Sequence, residues 1–236
     1  MLAYHSDNTI KTNILLQLEA HRAADQLAKG RYWEGGKGCA VGCTVHSGDH
    51  SEYERRFGIP QVLARLEDRI FEGLPNELSQ VWPIRFMSVI EPGADLAMVW
   101  PRFALWLLTE EVPQHTKNVR TKASLAEVAE LYRQWTEGNK PEREVWIGTR
   151  RNVVAVAADY VAAYAAYAVA AADNYAATAY AAYAVAYAAY AATYTDADAA
   201  TYTDADAAYA RGKCYIRMSD KLIELLSQCV AQTVTS

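Results

Sequence analysis

Residues 39–50 read CAVGCTVHSGDH and hold the densest group of soft metal-binding side chains in the chain. Cysteine sulfur and histidine nitrogen are ligands that suit Zn²⁺ and iron in proteins. Because Gly35, Gly36, Gly38 and Gly42 lie within or just before this stretch, the backbone can fold tightly around an ion. The spacing predicts a metal site formed by four residues: Cys39, Cys43, His46 and His50.

Two other interpretations of the same stretch stay open. A loop of small residues can bury both thiols against a core without binding a metal. Alternatively, a cysteine paired with His46 or His50 can act as a nucleophile, because an adjacent imidazole lowers the pKa of a thiol. A closed zinc or iron site would use all four ligands, whereas a site with an open coordination position would recruit a further residue.

Helical periodicity predicts that three more polar side chains point toward a core. With 100° between successive residues, His21 and Asp25 fall on the apolar stripe of the first predicted helix. Glu67 falls in the middle of the apolar arc of a later helix, while Asp68 and Glu72 are expected on its solvated face. A buried carboxylate without a partner is costly, so Glu67 must pair, hydrogen-bond or coordinate an ion.

These residues define two hypotheses of function. The leading one is a non-catalytic helical protein with a structural metal site. The alternative is a metal- or thiol-dependent enzyme, in which the cluster would act with Glu67 or with the His21/Asp25 pair. Glu54, one helical turn after His50, is a further candidate for that site. Neither hypothesis identifies a substrate.

The elements that must position these residues are predicted to be helices. Pro60 is typical of a first helical turn, and Ser124 opens a capping box ahead of an apolar run. The pairs Trp82-Pro83 and Trp100-Pro101 are expected to bend or interrupt the helices that contain them. Since no convincing alternation of β-branched residues occurs, the predicted fold class is all-α, a helical bundle.

Composition restricts the class of protein. The net charge of −5 over 236 residues offers no broad basic surface, so we expect no binding of nucleic acid. The first residues lack the pattern of a secretory signal, and four cysteines in such a chain indicate reduced thiols in the cytoplasm. Cys214 and Cys229 are expected to be buried apolar side chains, and His115 lies in no ligand-like context.

A sharp change of composition divides the chain into three predicted parts. Residues 1–151 form the helical domain, residues 152–210 an Ala/Tyr-rich repeat region, and residues 211–236 an amphipathic helix. The middle part contains no Lys, Arg, His, Glu, Gly or Pro, and 29 of its 59 residues are Ala. Because Ala is the best helix former, this composition favours a long helix.

The Ala/Tyr-rich region is predicted to mediate assembly. Its tyrosines form two helical stripes on different faces, which fits either one long helix or a hairpin that turns near Asp173 and Asn174. The octapeptide AATYTDAD occurs twice in succession at 191–206, an arrangement better suited to self-association than to a precise active site. We therefore expect a homo-oligomer. An uncharged run at 174–195 is long enough to cross a membrane, but Ala is weakly apolar, which makes spanning unlikely.

Three stretches resemble a group of uncharacterised bacterial and phage proteins. They are GCAVGCTVHS, HSEYERRFGIP and LARLEDRIFEGLP, followed by an alanine-rich tail. The resemblance covers most of the first 95 residues and, in composition only, the tail. It implies that the Cys/His loop, the Gly-Ile-Pro turn and the following helix occur together, but it implies no activity, cofactor or fold. The tails of that group favour Ser, whereas Tyr prevails here.

Overall fold

The structure is a computed structural model that describes residues 1–156, 167–168, 183–184, 186–188 and 204–231. It is all-α, as the sequence predicts, and in these ranges its one sheet is a two-stranded hairpin. Strand β1, Trp33–Glu34, pairs antiparallel with β2, Lys37–Gly38. The helices in chain order are α1 Asn8–Ala23, α2 Ala40–Val45, α3 Glu52–Phe57, α4 Gln61–Gly73, α5 Asn76–Val89, α6 Val99–Trp106, α7 Val119–Thr136, α8 Arg143–Val156 and α9 Asp204–Ser227.

The chain divides into two compact units. Unit 1 consists of Met1–Val99 together with Met218–Ser236, and unit 2 consists of Trp100–Arg217. This division differs from the three parts expected from composition, because the amphipathic C-terminal segment joins the same unit as the N-terminal helices. An ion pair between Arg85 and Asp220, 2.9 Å apart, lies within unit 1.

Unit 1 is built on the packing of α1 against α5 and of α2 against α4. The Tyr4 hydroxyl, at the N-terminal edge, donates a 2.6 Å hydrogen bond to the carbonyl of Met87. Ala3 and Ala94 are joined by a 2.9 Å backbone hydrogen bond, and Ala94 also forms a β-bridge with Ala231. The two ends of the described chain therefore meet the same backbone segment.

Unit 2 has an aromatic core formed by side chains of α6, α7 and α8. The rings of Tyr132 and Trp146 meet edge to face at 5.1 Å, and Trp100 packs on the same tyrosine. The Tyr132 hydroxyl donates a 2.8 Å hydrogen bond to the carbonyl of Ala168, which attaches part of the Ala/Tyr-rich region to α7.

Both Trp-Pro pairs lie inside helices, so of the two predicted effects, bending or interruption, the helices show no interruption. Helix α5 continues through Pro83, with the ring of Trp82 buried beside it. Helix α6 begins only at Val99, so Pro101 falls within its first turn, where its missing N–H costs nothing. Trp100-Pro101 therefore lies at the start of a helix, where proline causes no interruption.

The described tyrosines of the Ala/Tyr-rich region show which of its two predicted arrangements fits. The ring of Tyr167 stacks on that of Tyr187 with centroids 4.9 Å apart, and it also contacts Tyr183. One straight helix would separate residues twenty positions apart by about 30 Å. The contact therefore fits the hairpin and not the single helix. The turn predicted near Asp173 and Asn174, and the tandem octapeptides except for the last three residues, lie outside the described residues.

Among the helices of the described residues, none combines the length and the apolar character that a membrane crossing requires. Most of the uncharged run at 174–195 lies outside those residues. Helix α9 begins seven residues before the amphipathic helix expected from Arg211 onward.

Candidate metal centre

Helix α2 divides the predicted four-ligand motif between its two ends. Cys39 is the N-cap, and its sulfur accepts a 3.5 Å hydrogen bond from the Gly42 N–H. His46 is the C-cap and has a left-handed backbone, with φ of 57°. Since a helix rises about 1.5 Å per residue, these two positions lie about 10 Å apart along the axis. The structure therefore brings Cys39 and His46 into different surroundings.

Cys39 lies against two carboxylates of α4. Its sulfur and one oxygen each of Asp68 and Glu72 all lie within 4.8 Å of one another. Asp68 and Glu72 are four residues apart and so occupy the same side of the helix. The expectation that this side would be solvated is wrong: both side chains are partly buried, because Cys39 and the segment around Gly30 lie over them.

His50 is the second residue of the predicted motif that lies beside Asp68. It is buried, and its Nε2 lies 3.4 Å from Oδ2 of Asp68. Its other nitrogen, Nδ1, lies 3.1 Å from the carbonyl of Gly48, which can only accept, so Nδ1 carries the proton. In a neutral imidazole the Nε2 lone pair then faces the carboxylate. A proton or a metal ion between the two would turn this repulsion into attraction.

Negative charge is concentrated here without full compensation. Burial raises the pKa of the Cys39 thiol well above its ordinary range, and the carboxylate of Asp68 adds to the effect. Burial also raises the pKa of Glu72, although a hydrogen bond from the Gly30 N–H and the charge of Lys29 act against it. Within the described part of the chain, the buried Oδ1 of Asp68 has no hydrogen-bond partner of acceptable geometry. A bound cation would stabilise all three groups together.

The other two residues of the motif lie elsewhere. The thiol of Cys43 donates to the carbonyl of Gly38 at 3.4 Å, and burial raises its pKa to about 11. His46 pairs with His21, their Nε2 atoms being 2.9 Å apart. The structure thus places Cys39 and His50 around Asp68, and leaves Cys43 and His46 outside that group.

Glu67 is buried, as its helical position predicts. The hydroxyl of Tyr53 donates a 2.5 Å hydrogen bond to its Oε2, while Trp82 donates to its backbone carbonyl at 2.9 Å. Burial raises the pKa of Glu67 well above its ordinary value; the hydrogen bond from Tyr53 acts against this shift, and the charge of Asp68 adds a smaller upward contribution. Glu67 is therefore a buried carboxyl group paired with Tyr53.

Two other predicted site residues have different roles. Helix α1 ends at Ala23, so Asp25 is not on its inner stripe; it is exposed and has a positive φ of 53°. The expected His21/Asp25 pair is not formed, and His21 contacts Gln26 instead. Glu54 accepts a 3.0 Å hydrogen bond from the Gln61 N–H, so it caps the start of α4.

A second cluster, in unit 2, escaped sequence reasoning. Oε1 of Glu111 lies 3.1 Å from Nε2 of His115 and accepts a 3.2 Å hydrogen bond from the thiol of Cys214. The spacing of Glu111 and His115, four residues apart, was the available signal. Cys214, more than a hundred positions later, offered none.

The Glu111 cluster contains its own positive charge. Arg217 donates from two nitrogens to the two carboxylate oxygens of Glu111. Burial alone would raise the pKa of Glu111, but the hydrogen bonds from Arg217, His115 and Cys214 outweigh it and hold this pKa at about 2. Because the Arg217 guanidinium already occupies both carboxylate oxygens to which a metal ion would bind, Glu111, His115 and Cys214 form an ion-paired network with it and not a metal centre.

Comparisons of the chain with models of protein families, with curated proteins and with solved structures find no match.

Proposed function

We propose that unit 1 is a non-catalytic helical module that binds one zinc ion, or iron as the second choice, through Cys39, His50, Asp68 and Glu72. The observation that carries this proposal is the convergence of the Cys39 sulfur and two α4 carboxylates within 4.8 Å. Nε2 of His50 lies at the edge of the same group. Sulfur, imidazole nitrogen and carboxylate oxygen are the three ligand types of protein zinc sites.

The surroundings of the thiols favour a structural role over nucleophilic catalysis. A reactive cysteine needs a neighbouring base or cation that stabilises its thiolate. Here Asp68 lies next to the Cys39 thiol and also next to His50, so the group beside the sulfur is a carboxylate. Its negative charge favours the protonated thiol. A metal ion would reverse that preference by replacing the proton, and the module would gain stability on binding.

The ligands come from segments far apart in sequence, which supports a role in stability. Cys39 is fixed at the start of α2, His50 lies just before α3, and both carboxylates belong to α4. An ion bound by all four would join these three helices. Because a preformed site is absent from an unfolded chain, its binding free energy would add directly to the free energy of unfolding.

The test is metal analysis and thermal unfolding of the full chain. Protein stripped with a chelator and refilled with one equivalent of Zn²⁺ should melt at a higher temperature than the stripped protein. Cys39→Ser and Asp68→Asn should lose this gain. The matched control is Cys43→Ser, because its hydroxyl can still donate to Gly38 and it lies outside the proposed ligands.

Two results would contradict the proposal. One is an equal stabilisation by Zn²⁺ in wild type and in Asp68→Asn. The other is loss of metal in Cys43→Ser with retention in Cys39→Ser, which would restore the other half of the motif as the binding site.

We also propose that the Ala/Tyr-rich region mediates self-association. Supporting this, Tyr183 and Tyr209 are 48% and 65% exposed, although both rings carry large apolar surfaces. Each of these rings has a contact within the chain, Tyr183 with Tyr167 and Tyr209 with Lys213, and each still leaves apolar surface uncovered. Light scattering should report a dimer or larger particle that dissociates when residues 191–206 are deleted, and a monomer before and after the deletion would eliminate the idea.

A further inference from the structure

Two histidines of unit 1 face each other outside the proposed zinc site. Nε2 of His21, on α1, lies 2.9 Å from Nε2 of His46, at the end of α2. Their rings are nearly perpendicular, with an interplanar angle of 87°. Twenty-five residues separate the two positions, so the packing of α1 against α2 creates this pair.

The tautomer of His21 is fixed by Gln26. Nδ1 of His21 lies 2.5 Å from Oε1 of Gln26, and an amide oxygen can only accept a hydrogen bond. Nδ1 therefore carries the proton, and the lone pair of Nε2 points toward His46. Metal-ligating histidines in proteins characteristically donate their second nitrogen in this way, which orients the ring and strengthens the ligand.

The ring of His46 is held from another direction. It stacks on Trp33 with centroids 4.4 Å apart, and its backbone closes α2 in a left-handed conformation. Gln17 lies 3.4 Å from its Nε2, but the amide of Gln17 already donates to the carbonyls of Cys43 and Thr44. In this group Nε2 of His46 therefore pairs with Nε2 of His21. Because Nε2 of His21 has a lone pair, the one proton between the two nitrogens comes from His46.

We propose that His21 and His46 form a second metal site, an exposed one for a divalent ion of the copper–nickel–zinc class. Imidazole nitrogen is a preferred ligand of these ions. A tetrahedral ion with metal–nitrogen bonds of about 2.0–2.1 Å would hold two nitrogens about 3.3 Å apart. The observed separation of the two Nε2 atoms, 2.9 Å, is about 0.4 Å shorter than this, and a small tilt of the two rings would lengthen it by that amount. His46 would then carry its proton on Nδ1.

Exposure and charge distinguish this site from the proposed zinc site. His46 is exposed and His21 half-buried, so an ion would keep open positions for water or an external ligand. Burial lowers the pKa of His46, and the neighbouring His21 and Arg56 lower it further. The ion would be weakly held and readily exchanged, since two protein ligands are fewer than a closed site provides.

Calorimetry of the full chain with Ni²⁺ tests the site, because thiols do not reduce this ion. The experiment is done in Cys39→Ser, which removes the proposed zinc site, so its result does not depend on the proposed function. We expect one Ni²⁺ to bind, and His21→Asn or His46→Asn to weaken it at least about ten-fold. Asn is compatible with the positive φ of residue 46. The control is the exposed His5→Asn, which should change nothing.

A spectroscopic measurement keeps the test independent of folding defects. In the Cys39→Ser variant, with its accessible thiols blocked so that they cannot reduce the ion, bound Cu²⁺ should show coupling to two imidazole nitrogens in electron paramagnetic resonance, and to one nitrogen after His46→Asn is added. Gln26→Leu, which retains both imidazoles but not the orienting acceptor, should weaken Ni²⁺ binding by about 10–100-fold. The proposal is overturned if His21→Asn binds Ni²⁺ as tightly as His5→Asn does, or if the thiol-blocked Cys39→Ser variant shows a single coupled nitrogen for Cu²⁺.

Discussion

Tyr53 and Glu67 form a hydrogen-bonded pair that is completely enclosed by unit 1. The phenol donates to Oε2 of the carboxyl group at 2.5 Å, whereas Oε1 has no hydrogen-bond partner in the described part of the chain. Burial raises the pKa of both groups, which favours the uncharged form of each. A charged carboxylate at this position would be strongly unfavourable.

Removal of the Glu67 side chain should destabilise unit 1. Glu67→Ala leaves a cavity and an unpaired buried hydroxyl on Tyr53, so we expect a loss of about 2–4 kcal/mol in the free energy of unfolding. Glu19→Ala, at an exposed site on α1, should change it by less than about 0.5 kcal/mol. Denaturant titration followed by circular dichroism measures both. Equal effects at the two positions would show that Glu67 does not contribute to stability.

The same residue should impose a pH dependence. The pKa of Glu67 is raised above the unfolded value of 4.5, so its stabilising contribution is complete below that pH and declines as the pH rises toward the folded pKa. Relative to Glu67→Gln, which cannot titrate, the wild type should lose up to about 1.4 kcal/mol per pH unit above 4.5. Denaturation at pH 4, 5, 6 and 7 gives this difference. A constant difference would mean that the carboxyl group has an ordinary pKa.

Glu111 should produce the opposite dependence in unit 2. Its folded pKa of about 2 lies below the unfolded value of 4.5, so its contribution is present above 4.5 and is lost as the pH falls toward 2. The difference corresponds to about 3 kcal/mol between wild type and Glu111→Gln. Tryptophan fluorescence during denaturation at pH 6 and at pH 2.5 measures it. If both proteins lose stability equally on acidification, the Arg217 network is not responsible.

Gly42 should tolerate no side chain. A Cβ at this position would lie 1.4 Å from the backbone oxygen of Tyr32, so Gly42→Ala forces the β-hairpin segment away from α2 and should cost about 2–3 kcal/mol or more. Gly148→Ala is the matched control, because it lies in α8 with open space around it. There the better helix propensity of Ala should stabilise the protein by about 0.5–1 kcal/mol. Thermal melts that shifted in the same direction for both variants would contradict the close approach.

Sequence periodicity predicted those features that depend on a single helix. The inward position of Glu67 follows from its place among the apolar residues of α4, and the all-α class follows from the absence of strand patterns. Asp68 and Glu72 were misplaced because a helical wheel does not show that another segment covers the flank of the helix. Asp25 was misplaced because its inward position required α1 to continue past Ala23.

The candidate site could be predicted only in part for the same reason. Cys39 and His46 are close in sequence, which predicted that they bind the same ion. They lie at opposite ends of α2, however, and are therefore about 10 Å apart along the helix axis. The carboxylates that approach Cys39 lie about thirty residues later, and the histidine that meets His46 lies twenty-five residues earlier. Such contacts depend on tertiary packing, which a single sequence does not display.

Residues 93–95 hold Leu2 and Ala231 close together within unit 1, so a permuted chain could join these two positions. Leu2 bridges to Asp95 on one side of this segment, and Ala231 bridges to Ala94 on the other. Neighbouring extended segments lie about 4.8 Å apart, so Leu2 and Ala231, on either side of the same segment, are separated by about 10 Å. A linker of a few residues could join them, and new termini could open within unit 1 at the exposed turn around Gly35. A fragment that ends at residue 99 would lack the flanking contact of Ala231 and the ion pair of Asp220.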